Sequence, residues 1–279
     1  MQIAQWLHFA RQQLSNCSPS AQIDAEVLLE AVLDRTISYF RMWPQQLLTK
    51  AELAQANSYL AQRQQGKPIA YITGFRAFWD LNLACNSSTL IPRADTECLI
   101  EYVFEQYAQQ PTLTLLDLGT GTGAIALTIK NEQPNWQVLA MDYSFAACQL
   151  SQQNNQQLIH GITIFNGSWL DAVQSQSLDI IISNPPYIEQ QDQHLNQGDV
   201  RFEPKSALTA GFDGLDDIKT ICQQASYCLK NGGELIIEHG YQQKQAVQAI
   251  FKKANFIDIQ THQDYGRNDR FTVGQKKPA

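Results

Sequence analysis

The chain has 279 residues, 44% hydrophobic and 17% charged, which is the balance of a globular protein with apolar sequence enough for its own core. Its 27 acidic residues outnumber 20 basic ones, giving a formal net charge of −7. A chain that lives on phosphate backbones carries a basic surplus, so nucleic acid is not expected as its direct substrate.

The N-terminal stretch MQIAQWLHFARQQL reads as an amphipathic helix and lacks the basic start, apolar run and cleavage site of a signal peptide. No stretch reaches the roughly 18 apolar residues of a membrane span. The expectation is a soluble, cytoplasmic chain, simplest as a monomer, with no membrane partner. Cys17, Cys85, Cys98, Cys148, Cys222 and Cys228 form no C-x-x-C pair and read as reduced, mostly buried thiols; no metal site is expected.

Residues 1 to 75 look helical. Apolar side chains recur at helical spacing at Trp6, Leu7, Ala10 and Leu14, at Ala25, Leu28, Leu29, Val32 and Leu33, and at Leu53, Ala56, Tyr59 and Leu60. Ser20 or Asp24 is a candidate cap for the second stretch. Short connections make this a small helical bundle. Residues 76–92 alternate apolar and polar, with a turn signal at Asn86-Ser87-Ser88, and read as a β-hairpin linker.

From 93 to 279 the pattern alternates. A helix over 95–109 leads to a strand at 113–118, a Gly-rich turn and helix over 119–132, and a strand at 136–141. A helix follows at 144–157, then strands at 162–165 and 178–183. After a long loop come a helix over about 214–230, a strand at 234–238, a helix at 241–254, and strands at 256–260 and 270–274. Fully apolar strands between helices indicate an α/β fold, a mostly parallel seven-stranded sheet covered on both faces. The last two strands have no helix between them and are expected as a C-terminal antiparallel hairpin. The Gln- and Asn-rich run 152–157 reads as a solvated helix face.

The turn Asp117-Leu118-Gly119-Thr120-Gly121-Thr122-Gly123 lies between a strand and a helix, where glycines permit a tight turn and close ligand approach. A dinucleotide turn reads G-x-G-x-x-G. Here the spacing is G-x-G-x-G, with an acid two positions before the first glycine. An acidic group there suits a cationic ligand end better than a pyrophosphate. S-adenosylmethionine carries an ammonium and a sulfonium and no phosphate. Asp142, about 20 residues beyond the turn, is placed to accept ribose hydroxyls. The alternative roles are structural: Asp142 as a cap for the helix from Ser144, and Asp117 as a partner for loop amides.

Strand LDIIIS ends in Asn184-Pro185-Pro186-Tyr187. The prolines lack N–H groups and fix φ, and Asn184 before a proline is kept out of the helical region. The turn is therefore stiff and lies on the ligand edge of the sheet. The Asn184 side-chain oxygen and the Pro185 carbonyl are two acceptors, suited to the two N–H bonds of a planar –NH₂, with Tyr187 packed on the flat group. That fits methyl transfer to an amide or to the exocyclic amine of a base.

With these two motifs, LIPRADTECLIE (90–101), GDVRFEP (198–204), LIIEHG (235–240) and DYGRNDR (264–270) make the whole chain similar to the release-factor glutamine methyltransferases. This is the HemK/PrmC group of class I S-adenosylmethionine-dependent N-methyltransferases. The resemblance implies a Rossmann-like catalytic domain over 93–279 and a substrate-docking helical domain over 1–75. It implies S-adenosylmethionine as cofactor, leaving as S-adenosylhomocysteine. The cofactor would contact Gly119, Thr120, Gly121, Thr122, Gly123, Asp142, Trp169 and Asn184. It implies as substrate the glutamine of the Gly-Gly-Gln motif of class I peptide chain release factors, held by Asn184, Pro185, Pro186 and Tyr187. Two positions depart from the family pattern: Ala94 stands where a proline is usual, and Ser168 where an acid precedes Trp169. Other readings are a nucleic-acid amino-methyltransferase, a non-catalytic S-adenosylmethionine-binding module, and a dehydrogenase, the last disfavoured by the glycine spacing.

Of the remaining candidates, Glu238-His239 is expected to be structural. Glu203 and Arg201 either shape the substrate pocket or support the loop. Arg267, Asn268 and Arg270 are expected to organise the final hairpin. His8, His160, His194 and His262 receive no role.

Overall fold

A computed structural model of the chain describes residues 1–158 and 161–278, so His160 lies outside the described residues. Two compact units emerge. One is Met1–Phe75 with His194–Phe202; the other is Arg76–Gln193 with Glu203–Ala279.

The first unit contains α1 (Ile3–Leu14), α2 (Ala21–Leu33), α3 (Ile37–Met42), α4 (Lys50–Gln64) and α5 (Ile69–Thr73). The apolar stripes read from the sequence meet in one core of Ile3, Trp6, Ala10, Leu14, Leu28, Leu29, Ala56 and Leu60. A capping box starts α4. Thr49 Oγ1 accepts from the Glu52 amide and the Glu52 carboxylate accepts from the Thr49 amide.

Ser20 occupies the N-cap position of α2 but its side chain makes no capping hydrogen bond. Asp24 is buried instead, accepting hydrogen bonds from Ser18 Oγ (2.7 Å), Ser20 Oγ (2.8 Å) and Arg63 Nε (2.7 Å). Arg63 also pairs with Asp199 at 2.8 Å. Arg201, weighed as a pocket residue, donates to the Gln65 carbonyl in this same unit. The stretch 194–202 thus belongs with the helices, though it stands within the later part of the sequence. Its partners lie 136 positions away in the chain, beyond the reach of local pattern.

The hairpin consists of β1 (Phe75–Phe78) and β2 (Leu81–Ala84). Its turn is Trp79-Asp80, with Trp79 at φ 52°, and not the predicted Asn86–Ser88. Those residues form a local turn after the hairpin, in which Ser88 N donates to Asn86 Oδ1.

The sheet of the second unit has, among the described residues, seven strands in the order β5-β4-β3-β6-β7-β9-β8. They are β3 (Thr114–Leu118), β4 (Gln137–Asp142), β5 (Thr163–Asn166), β6 (Leu178–Ser183), β7 (Leu229–Glu238), β8 (Phe256–Gln263) and β9 (Asp269–Lys276). The pairs from β5 to β7 are parallel. β9 is antiparallel to β8, as the missing helix between them predicts, and is inserted antiparallel beside β7 as well. The connecting helices are α6 (Glu97–Tyr107), α7 (Ala124–Glu132), α8 (Phe145–Leu158), α9 (Asp216–Cys228) and α10 (Lys244–Lys253).

The period-2 alternation of the strands divides the core between the two faces. Leu115, Ile180, Ile182 and Ile236 pack with residues of α6 and α7. Leu116, Leu118, Ile181, Leu235 and Ile237 pack with α9 and α10. The predicted helix over 214–230 ends at Cys228, and β7 begins at Leu229, five residues before the apolar run that marks it in the sequence. Among the described residues no helix is long and apolar enough to cross a membrane. Five of the six cysteines are buried, Cys17 alone being exposed.

Candidate active site

Parallel pairing brings the C-terminal ends of three strands together. Leu118 is in register with Met141 on one side and Ser183 on the other. Ser183 Oγ donates to the Leu118 carbonyl at 2.8 Å. The Gly-rich turn, Asp142 and Asn184 therefore emerge side by side at the carboxyl edge, where open α/β sheets bind ligands. A cavity of about 350 Å³ opens there, of the size that holds a small molecule. Its wall includes Gly119, Thr120, Gly121, Thr122, Met141, Asp142, Ser168, Trp169, Asn184 and Pro186.

The turn uses its own amides. Gly119 N and Thr120 N both donate to the Met141 carbonyl, and Gly121 N donates to Asp142 Oδ2 at 2.9 Å. Gly123 (φ +87°) caps α7 in the left-handed conformation. The start of α7 is already closed by an internal anion, because Ala126 N donates to Asp117 Oδ2, which also accepts from Thr120 Oγ1. A dinucleotide loop keeps these groups for a pyrophosphate, so this one does not fit that ligand.

What remains is acidic. Asp117 is 1% exposed and its Oδ1 has no hydrogen-bond partner. Burial pushes its carboxyl up to about 7, against the hydrogen bonds from Thr120 and Ala126. Such an orphaned oxygen suits a cationic donor. Asp142 is also held above the usual carboxylate range by burial, opposed by the amides of Gly121 and Ser144. Its Oδ1 accepts from Ser144 N (2.8 Å), but the cap of α8 is Ser144 itself, whose Oγ accepts from Ala147 N, so Asp142 is not the cap considered from the sequence. Each of its oxygens keeps a second lone pair for a ligand hydroxyl. A ligand with a cationic end and a diol fits this donor set, as S-adenosylmethionine does.

Trp169 stands at φ 43°, and its ring lies 3.6 Å from where a Cβ on Gly119 would be. Asp217 on α9 shares the cavity wall with Trp169, and burial holds its carboxyl above the usual range, opposed by the nearby indole. That acid was not singled out in the sequence.

The Asn184–Tyr187 turn divides its residues. Asn184 and Pro186 face the cavity, whereas Pro185 and Tyr187 are not part of its wall. The Tyr187 hydroxyl donates to Glu238 Oε1 at 3.2 Å, and its carbonyl accepts from Gln243. Asp117 and Gly123 are likewise set back from the wall. Asn184 Nδ2 donates to Thr96 Oγ1 at 3.1 Å, and Thr96 Oγ1 donates to Glu238 Oε2 at 2.7 Å. His239, next to Glu238, is buried between the Gly240 carbonyl and Thr272 Oγ1. Glu203 accepts from Ile91 N and Arg93, supporting the segment that leads into Thr96.

The run 152–157, expected as a solvated face, supplies a structural residue of the site. Asn154 is 1% exposed. Its amide donates to the carbonyls of Thr122 and Ala84 and its oxygen accepts from Ala84 N, tying the Gly-rich turn to β2. Asn155 is buried likewise on Ile162. A polar run on a helix carries no sign of which members face inward.

With this geometry in hand, comparison with known proteins identifies the family. Residues 5–74 match the PrmC N-terminal domain and residues 94–203 the methyltransferase small domain. A release factor glutamine methyltransferase of Salmonella typhimurium is 44% identical over 279 residues, covering 100% of both chains. That of Escherichia coli is 44% identical over 99% of both, and that of Vibrio cholerae 46% identical over 97% of this chain and 96% of its own. The chain belongs to the release factor glutamine methyltransferase family. Solved structures share its class I methyltransferase fold. A Pyrococcus furiosus methyltransferase superposes with TM-score 0.55 at 15% identity, covering 79% of this chain and 99% of its own. A Thermus thermophilus 16S rRNA guanine methyltransferase, solved with S-adenosylmethionine and guanosine, gives 0.54 at 15% identity over 73% and 50%.

Proposed function

We propose that this chain transfers a methyl group from S-adenosylmethionine to the side-chain amide nitrogen of the glutamine in the Gly-Gly-Gln motif of class I peptide chain release factors. The reading is carried by one arrangement: Asn184 opens onto the same cavity as the acidic Gly-rich turn, in a chain that matches release factor glutamine methyltransferases from end to end. The cytoplasm, where translation terminates, is its place of action.

Bound S-adenosylmethionine supplies an electrophilic sulfonium methyl and leaves as S-adenosylhomocysteine. Asp117 provides the counter-charge for its cationic end, Asp142 accepts from its ribose, and Trp169 and Gly119 bound its binding cleft. An amide nitrogen is a weak nucleophile, and no side chain is basic enough to deprotonate it beforehand. Asn184 Oδ1, which opens onto the cavity, and the Pro185 carbonyl, set back from its wall and assigned from the family resemblance, would accept its two N–H bonds and present its π face for methyl transfer. As the C–N bond forms, positive charge grows on nitrogen and both hydrogen bonds strengthen. That favours the transition state over the ground state. The methylated nitrogen then releases its proton to solvent. Tyr187 keeps the turn in place through Glu238.

Mass spectrometry of purified release factor after incubation with this protein and S-adenosylmethionine tests the reading. One added methyl on the Gly-Gly-Gln glutamine is expected. Methylation of DNA or RNA in parallel reactions, with none on any release factor, overturns it in favour of a nucleic-acid amino-methyltransferase.

A further inference from the structure

We propose that Glu238, acting through Thr96, is a positioning residue that fixes which end of the Asn184 amide faces the substrate. The inference rests on the acceptor role given to Asn184 above.

A side-chain amide has a donor end and an acceptor end of nearly the same shape. The cavity needs the acceptor, and steric fit alone does not select it. Selection comes from a directed chain. Ionised Glu238 can only accept. It takes the Thr96 hydroxyl on Oε2 and the Tyr187 hydroxyl on Oε1. The hydrogen of Thr96 is thereby committed, so toward Asn184 its oxygen can only accept. Asn184 must then turn Nδ2 to Thr96, and Oδ1 is the end left for a ligand. Thr96 is 4% exposed and Glu238 1% exposed, so water does not compete for the bond between them.

The direction depends on the charge of Glu238. A neutral carboxyl carries a proton to donate. Thr96 can accept it and pass its own hydrogen to Asn184, which then offers Oδ1 to Thr96 and its NH₂ to the cavity. Two donors would face each other there, and the substrate amide would not be held.

Several groups surround Glu238. Thr96 and Asp95 approach from the segment before α6, Cys98 from α6 itself, Tyr187 from the turn after β6, and Arg270 from β9. Arg270 is paired with Asp264 at 2.9 Å and lies 3.5 Å from Asp95. Burial pushes the Glu238 carboxyl up to about 7, while Thr96, Arg270 and Tyr187 act in the opposite direction. Turnover should therefore rise with pH across the neutral range as Glu238 ionises.

The test uses the full chain, release factor and saturating S-adenosylmethionine, with kcat measured from about pH 5.5 to about 9. Thr96→Val removes the hydroxyl while keeping its shape. It is expected to lower kcat on the order of 10- to 100-fold, with cofactor Kd unchanged by calorimetry, and Thr96→Ser is expected to restore most of the loss. Glu238→Gln keeps the shape of the side chain but removes its titrating proton, so the acid limb of the kcat profile should disappear whichever end of the new amide faces Thr96. Wild-type kcat in Thr96→Val, or an unaltered acid limb in Glu238→Gln, overturns the proposal. If Thr96→Val fails to fold, the Glu238→Gln profile decides. Asn184→Ala separates the two levels of the argument. Full turnover in that variant sinks the acceptor role itself, whereas a dead Asn184→Ala beside a normal Thr96→Val sinks the relay alone.

Discussion

Asn184 and Asp117 are the two side chains on which activity should most visibly turn, through different steps. Asn184→Ala removes an acceptor whose bond strengthens only as charge develops. Its kcat is expected to fall about 10²- to 10³-fold, while S-adenosylmethionine still binds in a calorimeter; near-normal turnover would contradict the assignment. Asp117 is proposed to act on binding. Its carboxyl sits at about 7 because burial disfavours its charge, and only the ionised form pairs with a cationic ligand. Protonation occurs as pH falls through that value, so cofactor affinity should be highest above neutrality and weaken on acidification. Titration calorimetry at several pH values checks this, and an affinity independent of pH would remove Asp117 from the site. Both residues were legible in the sequence, because an acid before a glycine turn and an Asn before two prolines are local patterns. Thr96, Asp217, Glu238 and Asn154 were not given site roles, since each acquires its part from a partner far along the chain.

The β3–turn–α7 element carries the cofactor region, and its geometry depends on Gly123. At φ +87° a Cβ is strained, and one built there would meet Leu127 Cδ1 at 2.9 Å. Gly123→Ala is expected to destabilise the fold by about 1–3 kcal/mol and to weaken cofactor binding by displacing Gly119–Gly121; an unchanged urea midpoint would argue against this. Strands and helices of the α/β unit were legible because apolar runs bounded by glycines and polar turns report local burial. The errors fall where a local signal competes with a distant one. The hairpin turn went to Trp79-Asp80, where Trp79 N donates to Glu97, although Asn86–Ser88 has the stronger turn composition. The start of β7 is drawn into the sheet by pairing with Leu178, despite Asn231-Gly232-Gly233.

For the molecule as a whole, the buried Asp24–Arg63 pair shows how distant segments are joined within the helical unit. Arg63 binds Asp24 of α2 and Asp199 of the 194–202 segment at once. Removing one partner leaves buried charge uncompensated, a loss of about 3–5 kcal/mol. Asp24→Ala is accordingly expected to destabilise this unit by about 3 kcal/mol, the low end because Asp199 remains. Limited proteolysis across residues 1–75 and denaturant melts of the full chain should register it; an unaltered cleavage pattern would remove the pair from the stability of the unit. By itself the sequence determined the helical bundle, the mostly parallel sheet with its antiparallel end, and the two motifs of the site. Those follow from periodicity, glycine and proline, whose effects act within a few residues. Tertiary structure alone decided the strand order that sets Leu118 beside Met141 and Ser183. It decided the membership of 194–202 in the helical unit, and the buried chain from Glu238 to Asn184. Each of these is a pairing between groups far apart in the chain, and the strand order and the Thr96–Glu238 bond are made obligatory by burial, which is a property of the folded whole.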